Sequence, residues 1–193
     1  MADLDGIKSE AKEKEYYTST PQVTPGFFLK GSHQYDWGLQ NRLSRIFNPK
    51  TGRTIMLAFD HGYFMGPTTG LERVDQTILP LEPHCDCLML TRGIQRSIIP
   101  STTQKAIALR ASGGTSMVSP MDEWEGTSGD EIMKLSRPGY EPLSNEHLAI
   151  NIEEAIRLNA SVLAVQVFIG GQYERQSLQN LTNLIDQANR YGI

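Results

Sequence analysis

Four short apolar runs punctuate the chain, and each ends on a polar turn that carries glycine. They are TIMLAFDHG ending at Gly62, DCLMLTRG at Gly93, AIALRASGG at Gly114 and SVLAVQVFIGG at Gly171. Near-continuous apolar runs of strand length fit parallel strands buried on both faces, because a strand with one wet face would alternate apolar and polar residues. Around these runs the period becomes helical. In DWGLQNRLSRIF, residues Trp37, Leu39, Leu43, Ile46 and Phe47 recur at three- and four-residue spacing, which predicts an amphipathic helix. Asp36 is its expected N-cap and NPKTG its stop. GLERVDQTILPLEP after the first run and NEHLAINIEEAIRLN before the fourth also read as helices. QYERQSLQNLTNLIDQANRYG does so most clearly, with Leu178, Leu181, Leu184, Ile185 and Ala188 as an apolar stripe.

Strands alternating with helices define an α/β protein. An open doubly wound sheet would usually announce itself with a Gly-x-Gly-x-x-Gly turn or a Gly-Lys-Ser/Thr loop, and the sequence contains neither. A (β/α)8 TIM barrel instead gathers functional groups at the C-terminal ends of many strands, which is where the polar residues of these runs fall. A complete barrel takes about 250 residues, and only four βα units fit between residue 54 and Ile193. The expectation is therefore the first half of a barrel, strands 1 to 4, in a chain that looks truncated after the fourth unit. The edges of its first and fourth strands would be exposed. Residues 1–35 lack sustained periodicity and read as an N-terminal tail or arm, with the half-barrel spanning 36–193. Over 115–142 the rhythm breaks into a loop insertion rich in Pro, Gly, Ser and acids. Loops longer than about 12 to 15 residues are usually functional or disordered, so this one is a lid anchored by Trp124, a disordered insert or non-native sequence.

Composition narrows the function classes. Apolar residues make up 39% and charged residues 21% of 193, ordinary for a globular protein. No run approaches the roughly 18 to 20 apolar residues of a membrane span, and the polar, acidic N-terminus is not a secretory signal, so a cytoplasmic protein without membrane contact is expected. A net charge of -4 and a pI near 5.6 provide no basic face for nucleic acid, and any phosphorylated substrate must be held by local groups. Cys85 and Cys87 in HCDCLML would share one face of a strand, with Asp86 on the other. Their spacing is not that of a zinc knuckle and no second ligand pair follows. They read as reduced structural cysteines, with neither a disulfide nor a metal.

The candidate chemistry sits at the strand ends. Asp60 and His61 close the first run. A carboxylate can orient a hydroxyl or a protonated base, a neutral imidazole can pass protons near pH 7, and Gly62 after them would allow a sharp turn and a close ligand approach. Later runs supply Thr91 and Arg92, Arg110 and Ser112, and Gln166. The two arginines either bind phosphate or close ion pairs. Gln166, read as a polar residue inside an apolar strand, either fills a barrel layer with a hydrogen bond or touches substrate. Gly62, Arg92, Ser112 and Gln166 are thus the candidate substrate contacts. Neither a Gly-x-Ser-x-Gly elbow nor a His-Glu-x-x-His pattern is present, and His33 and His147 read as surface residues.

The stretch NRLSRIFNPKTGRTIMLAFDHGYFMGPTTGLERVD resembles the start of the class I aldolase family that includes archaeal-type fructose-bisphosphate aldolases. The similarity runs on through TRGI and LRASG, lapses over about 115–142, and resumes at LSNEHLAINIEEAIRLNASVLAVQVFIGGQYERQS. The resemblance implies a (β/α)8 barrel acting on a phosphorylated keto substrate without metal. A lysine of a later strand would form a Schiff base that accepts the electrons of the departing carbanion. It implies either acetyl transfer from 3-hydroxy-5-phosphonooxypentane-2,4-dione to coenzyme A, leaving dihydroxyacetone phosphate, or cleavage of fructose 1,6-bisphosphate. Asp60 and His61 match the first-strand pair of the family. No bound cofactor is expected, coenzyme A being a co-substrate of the thiolase chemistry, and a homo-oligomer is expected. The Schiff-base lysine has no counterpart in these four units, so the chain alone is expected to be inactive. A non-catalytic half-barrel that binds a partner is the alternative.

Overall fold

The computed structural model describes residues 19, 29–63, 68–114, 145–171 and 173–193. The insertion expected over 115–142, Trp124 included, and most of the arm expected over 1–35 lie outside the described residues. Each of the four apolar runs forms one strand of a parallel sheet: β1 (Met56–Ala58), β2 (Cys87–Leu90), β3 (Ala106–Arg110) and, with two further strands intervening in the chain, β6 (Val162–Ala164). Their spatial order, β1-β2-β3-β6, follows the chain, as in the first half of a barrel wall.

The third run divides. After Ala111 the backbone leaves the parallel sheet, and β4 (Ser112–Gly114) pairs antiparallel with β5 (Glu146–Leu148), Ser112 opposite Leu148 and Gly114 opposite Glu146. The segment 145–159, expected to be wholly helical, therefore begins as a strand, and only α4 (Ile152–Arg157) is helix, capped by Asn151. A ladder to a partner more than thirty positions away in the chain is a tertiary preference that local periodicity cannot register. The Gly114 position is set by this ladder: a Cβ there would stand 2.6 Å from the Asn145 carbonyl oxygen. Gly114→Ala is expected to destabilise the fold by roughly 1–3 kcal/mol, the cost of overpacking against backbone, measurable as a lower urea midpoint at unchanged slope.

The sheet separates two cores. Leu57, Leu88, Leu90, Ile107, Leu109 and Leu163 pack with Val74 and, from the helices that follow, Ala155 and Leu184. On the opposite face Cys87, Ala106 and Ala108 pack against Ile46 and Phe47, which close α1 (Trp37–Ile46). The Asp36 carboxylate caps this helix as expected, accepting from Leu39 N at 3.2 Å. Burying one leucine fully stabilises by about 1.5–3 kcal/mol, and Leu88, Leu90 and Leu109 are each at most 1% exposed.

Three smaller expectations are corrected. GLERVDQTILPLEP yields only α2 (Val74–Thr77) and a 3-10 stretch, Leu79–His84, because Pro80 and Pro83 remove the amide donors a continuous helix needs. In α5 (Glu174–Tyr191) the buried positions are Ser177, Asn180 and Leu184, whereas Leu178 and Ile185 of the expected stripe are 39% and 43% exposed. Cys85 and Cys87 do not share a face: Cys85 precedes β2 and joins the first core, Cys87 the second. Both are free thiols and both are buried.

Burial pushes the Cys87 thiol from 9.0 up to about 11. Below pH 9 this group leaves stability unchanged. Between pH 9 and 11 the unfolded chain loses the proton while the fold retains it, so stability falls as pH rises, by about 2–3 kcal/mol in all. Denaturation series at pH 8, 10 and 11 are expected to reveal this alkaline limb in the native protein and its reduction in Cys87→Ala, where the Cys85 thiol and the Tyr63 hydroxyl, also raised by burial, supply what remains. An identical alkaline loss in both proteins would assign it elsewhere.

Candidate active site

Parallel strands bring their C-terminal ends to one edge of the sheet, and the polar residues of the four runs meet there. Along β1 the side chains alternate, so Phe59 enters the first core while Asp60 faces the other way. Arg110, the last residue of β3, occupies that same face and donates from Nη1 to Asp60 Oδ2 at 3.1 Å and from Nη2 to Glu146 Oε1 at 2.6 Å. Its Nε donates to the Ser112 carbonyl at 2.8 Å. The Ser112 hydroxyl donates to Glu146 Oε2 at 2.5 Å and accepts from the Gln166 amide at 3.0 Å. Asn180 of α5 donates to the Glu146 carbonyl at 2.8 Å. Asp60, Arg110, Ser112 and Glu146 are each 3% exposed or less. The cluster thus ties the exits of β1, β3 and β6, the β4–β5 pair and α5 into one buried polar unit.

The chain beyond Asp60 turns at once. His61–Tyr63 is a 3-10 turn, with Tyr63 N donating to Asp60 O at 3.2 Å. The Tyr63 ring lies against Gly113, where an added Cβ would approach it to 3.1 Å, so β4 fixes the turn that carries half-buried His61. Burial raises the Tyr63 hydroxyl above its ordinary value, opposed by the neighbouring Arg92 guanidinium. Gly62 has no left-handed φ, and a Cβ on it would meet nothing within 4 Å. The sharp glycine turn expected there is not required, since any L-residue adopts a 3-10 turn.

Arg92 stands outside this cluster. It opens α3 (Arg92–Ser97) behind the Thr91 N-cap and pairs with Glu154 at 2.9 Å, and Arg96 pairs with the same carboxylate at 2.8 Å. The Glu154 bond raises Arg92 above its ordinary value. Gln166 is not inside a strand. It lies two residues past β6 with its side chain exposed, because β6 ends at Ala164, and only its backbone amide joins the cluster. Of the polar residues at strand ends, the structure brings Asp60, Arg110 and Ser112 together, places His61 beside them, and engages both arginines in ion pairs. Sequence reasoning missed Glu146 and Asn180. The one available signal was the acid in LSNEH so soon after a break in pattern, which a helix N-terminus explains equally well.

A parallel sheet in chain order with its buried charges gathered at the strand exits is an α/β arrangement that places its polar groups where barrel proteins carry their sites. A solved structure of an archaeal fructose-1,6-bisphosphate aldolase, with the catalytic Lys covalently bound to the carbinolamine intermediate of the substrate, superposes with a TM-score of 0.53 at 22% identity, covering 80% of this chain and 54% of that one. The fold is therefore the aldolase TIM barrel, of which these strands form a part. No family model matches the chain. Over all 193 residues it is 49% identical to a 3-hydroxy-5-phosphonooxypentane-2,4-dione thiolase of Yersinia pseudotuberculosis serotype O:1b (strain IP 31758) and equally to an uncharacterized aldolase of Pasteurella multocida (strain Pm70). The similarity to these thiolase and aldolase relatives thus runs along the whole chain. The chain spans 58% of the length of these curated relatives.

Proposed function

We propose that this chain supplies the first-strand groups of a Schiff-base thiolase acting on a phosphorylated keto substrate, which transfers the acetyl group of 3-hydroxy-5-phosphonooxypentane-2,4-dione to coenzyme A and leaves dihydroxyacetone phosphate, its Schiff-base lysine contributed from outside these four βα units. The observation that supports this reading is the 49% identity across all 193 residues to a protein named for thiolysis of that diketone. In this reading Asp60 meets substrate hydroxyls or the protonated base, and His61 assists proton transfer or binding. Asp60 suits the task, because a carboxylate already bonded to a guanidinium is an acceptor fixed in direction. The lysine of the β3 start, Lys105, donates to Cys85 O at 2.7 Å at the opposite end of the sheet, so it is not the Schiff-base amine of this site.

A second reading, aldol cleavage of a ketose bisphosphate, is supported by the equally identical relative named an aldolase. Product analysis with and without coenzyme A separates the two. Acetyl-coenzyme A together with dihydroxyacetone phosphate is expected from the diketone, and triose phosphates from fructose 1,6-bisphosphate would favour the second reading. Borohydride reduction of a form as long as the curated relatives, with dihydroxyacetone phosphate present, is expected to fix a covalent adduct on a lysine. A protein that turns over substrate yet never gains the adduct mass would contradict Schiff-base chemistry under either reading.

A further inference from the structure

Two carboxylates and one guanidinium, all nearly inaccessible to water, carry more charge than a core needs for packing alone, and their arrangement is directional. Arg110 reaches Asp60 with one terminal nitrogen and Glu146 with the other, at 3.1 and 2.6 Å. Its Nε is anchored on the Ser112 carbonyl, and the Ser112 hydroxyl bonds the second oxygen of the same Glu146 carboxylate. Glu146 is held in turn through its backbone by Asn180. The Ser112 carbonyl and the Glu146 carboxylate thus hold the guanidinium from β4 and β5, and Asn180 of α5 secures Glu146 in turn. The bond to Asp60 is the longer of the two.

We infer that Arg110 is a positioning residue for Asp60, with Glu146 and Ser112 as the clamp that sets the plane of its guanidinium. The inference rests on the reading of Asp60 as a group that meets substrate. It adds that the β4–β5 pair, through Arg110, helps set the direction of this carboxylate. An arginine suits the role because its planar donors have fixed geometry, whereas a lysine ammonium is a point charge on a flexible stem.

Arg110→Lys preserves the charge and removes the planar donor set. It is expected to lower kcat about 10- to 100-fold with KM changed less than about threefold, the split expected when an interaction matters mainly in the transition state. Glu146→Ala, which leaves Arg110 and Asp60 as a balanced pair but frees the far end of the guanidinium, is expected to lower kcat about three- to tenfold on the same split. Crystal structures of both variants are expected to show the Asp60 carboxylate rotated from its native direction. A lower melting temperature with native kcat in the folded variants would overturn the inference, and so would Asp60 unmoved in both structures. Should Arg110→Lys fail to fold, Glu146→Ala decides by the same two readouts. Should the native protein turn over neither substrate, it is the proposed function that fails, and the two crystal structures alone decide the clamp.

Discussion

Arg110→Met is expected to be the most destabilising single substitution in the described residues, costing about 3–5 kcal/mol. Removing one partner of a buried ion pair leaves uncompensated charge with no water to solvate it. Here two carboxylates would be stranded at once, since Asp60 and Glu146 are 3% and 2% exposed and share this one guanidinium. For a chain of this size the loss corresponds to a fall in melting temperature of roughly 6–20 °C, readable by calorimetry or by circular dichroism. A compensated variant makes the cause testable. Arg110→Met combined with Asp60→Asn and Glu146→Gln removes every charge of the cluster and is expected to recover much of the loss, because apolar or neutral replacement of a whole buried ionic group is often close to neutral. Were the triple variant as unstable as the single one, the loss would come from the packing of the Arg110 stem rather than from charge.

What the sequence made legible follows the range of the forces involved. The four strands and α1 could be read because burial on two faces and an amphipathic period are local patterns, and each run yields its strand in the expected place. Asp60 and Arg110 could be placed at the strand exits for the same reason, and both Arg110 and Arg92 form ion pairs there. Their partners could not be named. Arg110 and Glu146 are separated by thirty-six positions, and the intervening residues carry no period that would register β4 against β5. Gln166 misled because a run of apolar letters extends past the last hydrogen-bonded strand residue, Ala164, and composition does not reveal where pairing stops. The buried face of α5 misled because Ser177 and Asn180 are buried for their hydrogen bonds, Ser177 to the Phe168 amide and Asn180 to Glu146, while apolarity drew attention to Leu178 and Ile185 on the exposed side.

Asp60→Asn is expected to separate chemistry from folding more cleanly than any change at Arg110. The amide is nearly isosteric, and its loss of charge leaves Arg110 and Glu146 as a one-to-one pair at 2.6 Å, so no buried charge is orphaned. Stability is then expected to change by about 1 kcal/mol, the net worth of one hydrogen bond. If Asp60 handles protons or orients the protonated base, turnover is expected to fall about 10²- to 10⁴-fold, the usual contribution of a positioned acid or base. The measurement is the rate of acetyl-coenzyme A formation, or of triose phosphate release, in a preparation whose denaturation midpoint has been determined alongside. Glu146→Gln is the informative control, because it removes a carboxylate from the same cluster at similar burial while leaving Asp60 ionised and bonded to Arg110. A large loss at Asp60 with a small one at Glu146→Gln assigns the substrate-facing role to the first-strand carboxylate. Equal losses would mean that the cluster acts only as a structural unit, and that the Asp60–His61 pair marks a strand end rather than the site of reaction.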